Sequence, residues 1–195
     1  QIFSFSDALY AEVAAAFGLE NEDLLRDRAT KEVESDHLTG DNCDDAGFVD
    51  VLKERIDSGD IPLSPRFVLQ TWGTEYRRAA DPDYWIQQAD DWLYDFQQKI
   101  PYPELRPQYF VNTSVRFPNE RDCVNDIGGN TWHLHRDAAE PVASHESETP
   151  LPVLDGEREI FNNYTIEYLH MGIDQLMSSN IPSIRIEPPE PMEKP

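Results

Sequence analysis

Gln108-Tyr109-Phe110-Val111-Asn112-Thr113-Ser114-Val115, running on into Arg116-Phe117-Pro118-Asn119-Glu120, is the stretch that decides the fold class. Its first eight residues are rich in β-branched and aromatic side chains and lie between Pro107 and Pro118, a pattern that predicts a buried central strand. Asn119 to Ile127 then reads as a helix stopped by Gly128-Gly129, and Thr131 to Leu134 as the next strand. Strand, short helix and strand within about 25 residues form a βαβ unit, and such a crossover requires a parallel sheet. The expected class is α/β, with a parallel sheet flanked by helices. Arg116 falls where a parallel strand ends, the edge outside which ligands of open α/β sheets bind. A solvated turn arginine is the alternative.

Upstream, Gln1 to Phe5 alternates like a short strand, and Asp7 can cap a helix through Phe17 that stops at Gly18. A second helix is expected from Asn21, with Leu24, Leu25 and Val33 as its apolar positions. Glu20 to Asp60 holds 14 acids and 5 bases, interrupted by Gly40 and Gly47, and reads as a solvated insertion rather than core. A helix from Asp81 or Pro82 carries Trp85, Ile86, Ala89, Leu93 and Phe96 on one stripe and ends near Lys99. Thr165 to Met177 reads as a last amphipathic helix with Ile166, Leu169, Ile173 and Leu176 inward. The expected organisation is one domain over residues 1–186, an acidic insertion at about 34–60, and a proline-rich extended tail over 187–195.

The formal net charge is -22, with 38 acids against 16 lysines and arginines. That balance disfavours direct binding of nucleic acid or of an anionic membrane, because phosphate neutralisation needs cations. It suits solubility, or a surface offered to a basic protein. Cys43 and Cys123 are far apart and form no metal spacing, as expected of free thiols in a reducing cytosol. No apolar run is long enough for a membrane span and no signal-peptide pattern opens the chain. Gln1 is not an initiator methionine, so residues are expected to have preceded it.

Against that acidity, Ser64 to Arg78 is anomalous. Ser64 suits an N-cap and Pro65 the first helical position. The segment then sets Arg66, Gln70, Thr74, Glu75, Arg77 and Arg78 along one short helix, followed by Asp81, Asp83 and Trp85. Planar guanidinium groups suit bidentate phosphate recognition, and Gln70 can read a base edge. Gly73 would let backbone approach a ligand. The competing reading pairs the arginines with Glu75, Asp81 and Asp83 on the surface.

Other candidates are weaker. His145-Glu146-Ser147-Glu148 lacks a specific metal spacing, and His133 and His135 alternate on a strand without a ligand partner nearby in sequence, so no metal site is assigned. There is no Gly-x-Ser-x-Gly elbow, no HExxH, and no Gly-x4-Gly-Lys-Ser/Thr; Lys31, Lys53, Lys99 and Lys194 are the only lysines and none follows a glycine.

Taken jointly, Ser4-Phe5-Ser6-Asp7-Ala8-Leu9-Tyr10, Pro65 to Arg78 with Trp85, Ser114 to Glu120, Arg136, His145 to Glu148, and Tyr164 to Met177 resemble the deoxynucleoside monophosphate kinases of tailed phages, in the P-loop nucleotide-kinase superfamily. The resemblance covers nearly the whole chain, in order. It implies transfer of the γ-phosphoryl group of ATP to a deoxynucleoside monophosphate with Mg²⁺, in the cytoplasm of an infected bacterial cell. It implies a nucleotide-binding set of Asp7, Arg66, Gln70, Thr74, Glu75, Arg78, Trp85, Asn119 and Glu120, with Arg116 and Arg136 stabilising phosphoryl charge.

The chain also departs from the pattern. Tyr10 stands where the family has lysine and Ser114 where it has aspartate, and the family's first strand and phosphate loop precede the segment that begins here. Two expectations follow. One is a kinase-like nucleotide-binding protein whose phosphoryl transfer is impaired. The other is a catalytically inactive acidic protein that binds or inhibits a basic host or phage protein.

Overall fold

The computed structural model describes residues 1–100, 102, 104, 106, 109–136, 145–179 and 183–185. The chain forms two compact units, Gln1–Val115 and Arg116–Pro195.

In the first unit, β1 (Ile2–Phe3) leads into α1 (Asp7–Ala16), which ends as Gly18 turns to a φ of 61°. Asp7 begins the helix rather than preceding it, and its Oδ2 accepts the Ser4 N–H at 2.9 Å. α2 is one turn long (Asp23–Arg26), shorter than expected, and Val33 lies beyond it with 57% of its surface exposed. α3 (Ala46–Lys53) is capped by Asp45, whose carboxylate accepts the Phe48 N–H at 3.0 Å.

The reading of Glu20 to Asp60 as solvated rather than core does not hold for several of its apolar residues. Leu38, Phe48 and Leu52 are all at most 1% exposed, while the acids around them face water. Phe48 lies between Phe17, at 6.2 Å between ring centroids, and Trp72, at 4.5 Å. Burying a side chain of this size contributes about 1.5–3 kcal/mol, which offsets many exposed charges.

α4 (Pro65–Gln70) starts as its sequence dictates, with Ser64 Oγ accepting the Phe67 N–H at 3.2 Å and Pro65 at the first turn. Beyond Gln70 the helix does not stop but widens. Thr71–Arg78 is a π-helix, in which each carbonyl reaches five residues ahead, as the Ala79 N–H does to Thr74. α5 (Tyr84–Lys99) follows, burying Trp85 and Ala89 as their stripe predicts. β2 (Val111–Asn112) pairs in parallel with β1, Ile2 beside Val111. This corrects the expected buried central strand: the described pairing is two residues long and Val111 is 50% exposed.

In the second unit, α6 (Pro118–Asp126), β3 (Trp132–His135), β4 (Arg158–Phe161), α7 (Ile166–Ser178) and β5 (Ser183–Arg185) build a three-stranded parallel sheet in the order β3-β4-β5. The chain is thus α/β with parallel sheets flanked by helices, but β2 and β3 lie in different sheets. The short βαβ crossover among the described residues is β4-α7-β5, while the parallel pair β1-β2 is joined through α1 to α5. Ile160 and Leu176 are buried together with Trp132, Leu169 and Ile173 against them. Ile166, expected inward, is 61% exposed because it opens the helix. The expected tail over 187–195 lies outside the described residues. Among the described residues, no helix is long and apolar enough to cross a membrane.

Candidate functional site

The helix from Pro65 to Arg78 carries five of the expected binding residues. Arg66 is half-buried, pairs through Nε with Glu32, and donates its backbone N–H to the Lys31 carbonyl at 2.9 Å. One turn on, Gln70 is half-buried, and its Nε2 is enclosed without a hydrogen-bond partner among the described residues. Thr74, Glu75 and Arg78 lie half-buried on the π-helix, and Glu75 takes Arg55 at 2.8 Å.

Arg77 belongs to the fold. Its Nε donates to Glu12 at 2.8 Å, its Nη2 lies 3.7 Å from Asp45, and its guanidinium sits over the Tyr76 ring at 4.5 Å and the Tyr84 ring at 5.1 Å. Glu12 also accepts the Trp72 indole N–H at 2.9 Å and the Tyr84 hydroxyl. Burial, then the hydrogen bond to Glu12, push the Tyr84 hydroxyl up to about 12. Glu32 holds Arg66, and Glu12 and Asp45 hold Arg77, across distances in sequence that no local pattern reveals.

Trp85, expected in the nucleotide set, is a core residue. It is 4% exposed and its indole N–H is spent on the Gly73 carbonyl at 3.0 Å. Gly73 likewise serves packing. A Cβ there would lie 3.4 Å from Leu9 Cδ2 and 4.0 Å from Trp85 Nε1, ordinary contacts with neighbouring side chains of the fold.

At the N-terminal end of α1, Asp7 is exposed and pairs with Arg26 at 3.1 Å. Tyr10 receives the Lys31 Nζ at 3.1 Å on its hydroxyl, and Arg26 covers its ring at 4.1 Å. Hydrogen bonds to Glu22 and Asp7 outweigh the burial that pulls the Arg26 pKa down, and raise it. At the carboxyl ends of β1 and β2, the Ser4 hydroxyl meets those of Ser6, at 2.7 Å, and Ser114. Asn112 Nδ2 beside them is buried without a hydrogen-bond partner among the described residues.

In the second unit, Arg116 is exposed and reaches Ser147 O at 3.0 Å and Glu148 at 3.1 Å, which joins two of the motifs singled out in the sequence. Glu120 is 3% exposed, and its Oε2 accepts the N–H groups of Arg116 at 2.8 Å and Phe117 at 3.2 Å. That carboxylate closes the start of α6. Asn119 beside it is half-buried, and Arg136 is exposed at the end of β3. His145 caps the Glu146–Glu148 turn through Nδ1, which accepts the Ser147 N–H at 3.2 Å. Deeper in, Glu157 accepts His133 and the Leu154 N–H, both at 2.8 Å, with Arg121 at 3.7 Å.

Sequence reading missed Lys31, Glu12 and Arg55, all of which lie on or against the arginine helix. Lys31 and Arg55 were hidden in the acidic stretch, and Glu12 sits on a helix face with no distinguishing spacing. Among the described residues no group of three or more His, Cys, Asp or Glu gathers as metal ligands.

The comparisons with known proteins meet this geometry. The deoxynucleotide monophosphate kinase of Escherichia phage RB69 is 25% identical over 129 residues, which cover 66% of this chain and 50% of the phage protein. The chain therefore spans about half the length of that curated relative. Residues 14–173, which include the arginine helix, α6 and most of α7, match the deoxynucleotide monophosphate kinase family as a whole, and the chain belongs to that family.

Proposed function

We propose that the unit Gln1–Val115 binds a deoxynucleoside monophosphate along the helix Pro65–Arg78, and that phosphoryl transfer to it is impaired in this chain. The observation that carries the binding half is Gln70: its Nε2 is an enclosed donor without a hydrogen-bond partner among the described residues, one turn from Arg66. Buried donors left unmade are costly, and a base edge supplies an acceptor. Arg66, Thr74 and Arg78 supply further donors on the same helix. Family membership supports a nucleotide as the occupant.

Impairment rests on two internal positions. Ser114 offers a neutral hydroxyl, already engaged with Ser4, and Tyr10 a neutral phenol. Mg²⁺ is held by carboxylates and phosphate oxygens. The strand-end hydroxyls of Ser4, Ser6 and Ser114 carry no charge, and the Asp7 carboxylate beside them is engaged by the Ser4 N–H and Arg26, so this group does not fit a metal. In the second unit, Arg116 and Arg136 are the candidates for stabilising phosphoryl charge. For Arg116 that role requires release from Glu148.

Calorimetric titration of the four deoxynucleoside monophosphates, with a coupled assay for phosphoryl transfer from ATP, tests both halves. One-to-one binding of at least one of them, with transfer slower than ordinary kinase rates by about 10²-fold or more, is expected. Absence of binding overturns the first half, and transfer at ordinary rates overturns the second.

The second reading, an acidic protein docking on a basic host or phage protein in the infected cell's cytoplasm, is favoured by the charge of -22 and by how many arginines are already neutralised internally. Recovery of one basic protein in stoichiometric complex, without nucleotide binding, would establish it.

A further inference from the structure

Lys31 is a half-buried ammonium in a strongly acidic protein, yet among the described residues no carboxylate lies within salt-bridge distance of it. Lys53, by contrast, takes Asp50 at 2.8 Å. Among the described residues, the one polar partner of Lys31 Nζ is the Tyr10 hydroxyl at 3.1 Å. An ammonium carries three donors, and here one is spent. Because Tyr10 accepts from Lys31, its own phenolic proton is left to donate, and among the described residues nothing accepts it. Two adjacent donors, one charged, are thus left without a carboxylate partner among the described residues.

A second cation lies nearby, itself held by two acids. Arg26 lies over the Tyr10 ring at 4.1 Å, and Lys31 Nζ itself is 5.5 Å from the ring centroid. Arg26 is already bound by Asp7 and Glu22, so its part is to fix the ring rather than to bind an anion. The Lys31 carbonyl accepts the Arg66 N–H at 2.9 Å, which sets residue 31 beside the first turn of the arginine helix.

We propose that Lys31 Nζ and the Tyr10 hydroxyl form an anion subsite that takes the phosphate of the bound nucleotide, while the helix side chains from Gln70 onward take its base and sugar. The proposal rests on the reading of Pro65–Arg78 as the nucleotide-binding helix. It assigns phosphate recognition to a residue of the acidic stretch, not to the arginines that the sequence brings to notice. Lys31 gives the charge and Tyr10 the direction. Neither needs to be released from a partner first, which distinguishes them from Arg66, Arg77 and Arg26.

Three probes separate the outcomes on the full chain: a deoxynucleoside monophosphate, the matching deoxynucleoside, and inorganic phosphate, each titrated by calorimetry. Lys31→Gln is expected to weaken the monophosphate by about 10- to 100-fold, the value of one charge-assisted contact, and to leave the deoxynucleoside within about twofold. Lys31→Arg should retain most of the binding, and Tyr10→Phe should lose about 3- to 10-fold by removing a neutral hydrogen bond. Monophosphate affinity within twofold of the parent in Lys31→Gln overturns the subsite while leaving the nucleotide-binding helix standing. Phosphate binding that depends on Lys31, without binding of any nucleotide, supports the subsite and overturns the helix reading. No binding of any probe by the parent chain overturns both. Thermal unfolding of each variant beside the parent shows that the fold is intact, as substitution at half-buried polar groups allows.

Discussion

Arg77 donates its Nε proton to Glu12 at 2.8 Å, which ties the π-helix to α1. The same carboxylate holds Trp72 and Tyr84, so a single acid fixes the rear face of the helix whose other face carries Gln70.

Replacing Glu12 by alanine leaves an indole N–H, a phenol and a guanidinium without their acceptor. A loss of about 2–4 kcal/mol of unfolding free energy is expected, since each stranded donor costs about 1–3 kcal/mol and solvent relieves part of it. Glu12→Gln should lose less because an amide oxygen still accepts. Urea unfolding of the two variants measures the difference. Equal effects would mean that packing, not the hydrogen bonds, carries the contribution.

Tyr84 gives that network a pH signature. Its folded pKa, about 12, lies above the ordinary 10 of a tyrosine. A raised pKa means that the folded state holds the proton more tightly. The stabilisation is therefore complete below pH 10 and lost as pH rises from 10 to about 12. Ultraviolet titration at the tyrosinate band should show late ionisation from Tyr84 and from Tyr76, whose hydroxyl is also pushed up by burial and by its bond to Asp45, and the Tyr84 component should disappear in Tyr84→Phe. Unfolding free energy measured from pH 9 upward should fall more steeply in the parent than in that variant.

Glu157 in the second unit has a side chain 5% exposed, beside Arg121 at 8%. Glu157→Ala leaves the buried Arg121 with Asp122 at 3.9 Å and the Pro152 carbonyl at 3.1 Å, strips His133 and the Leu154 N–H of their acceptor, and should cost about 3–5 kcal/mol. The double variant Glu157→Leu with Arg121→Met should recover a large part of that loss, because no buried charge remains. Additive losses in denaturant unfolding would contradict this account.

Gly73→Ala separates packing from ligand approach. Its Cβ would meet Leu9 at 3.4 Å, an ordinary contact, and alanine favours helix by up to about 1 kcal/mol. Stability should change by less than about 1 kcal/mol and nucleotide affinity by less than twofold. Lost affinity in a well-folded variant would return Gly73 to the binding surface.

What the sequence makes legible here is local. The Ser64 cap, the Pro65 start, the Trp85/Ala89 stripe and the α6 boundary all follow from residues within one or two turns of each other. The short β1–β2 pairing does not, because composition near Val111 states that a strand can form but not how many residues find a partner. Phe48 and Leu52 have helical spacing, yet the acids between Glu20 and Asp60 lower the average enough to hide a core. The candidate site divides in the same way. Arg66 and Gln70 are visible as a pair on one face, whereas Tyr10 with Lys31 and Glu12 with Arg77 are made by folding across 21 and 65 residues. No periodicity reports such pairs.

The π-helix from Thr71 to Arg78 has a consequence for comparing this chain with others. A wider turn accommodates roughly one more residue than an α-helix of the same rise. A relative that is α-helical here would reach Trp85 with one residue fewer, and a gap placed in the loop at Asp81–Asp83 would misassign every position between. Thr74, Glu75 and Arg78 would then be matched to neighbours that face elsewhere. The place to put such a gap is inside the helix, among the residues that have most to say about what it binds.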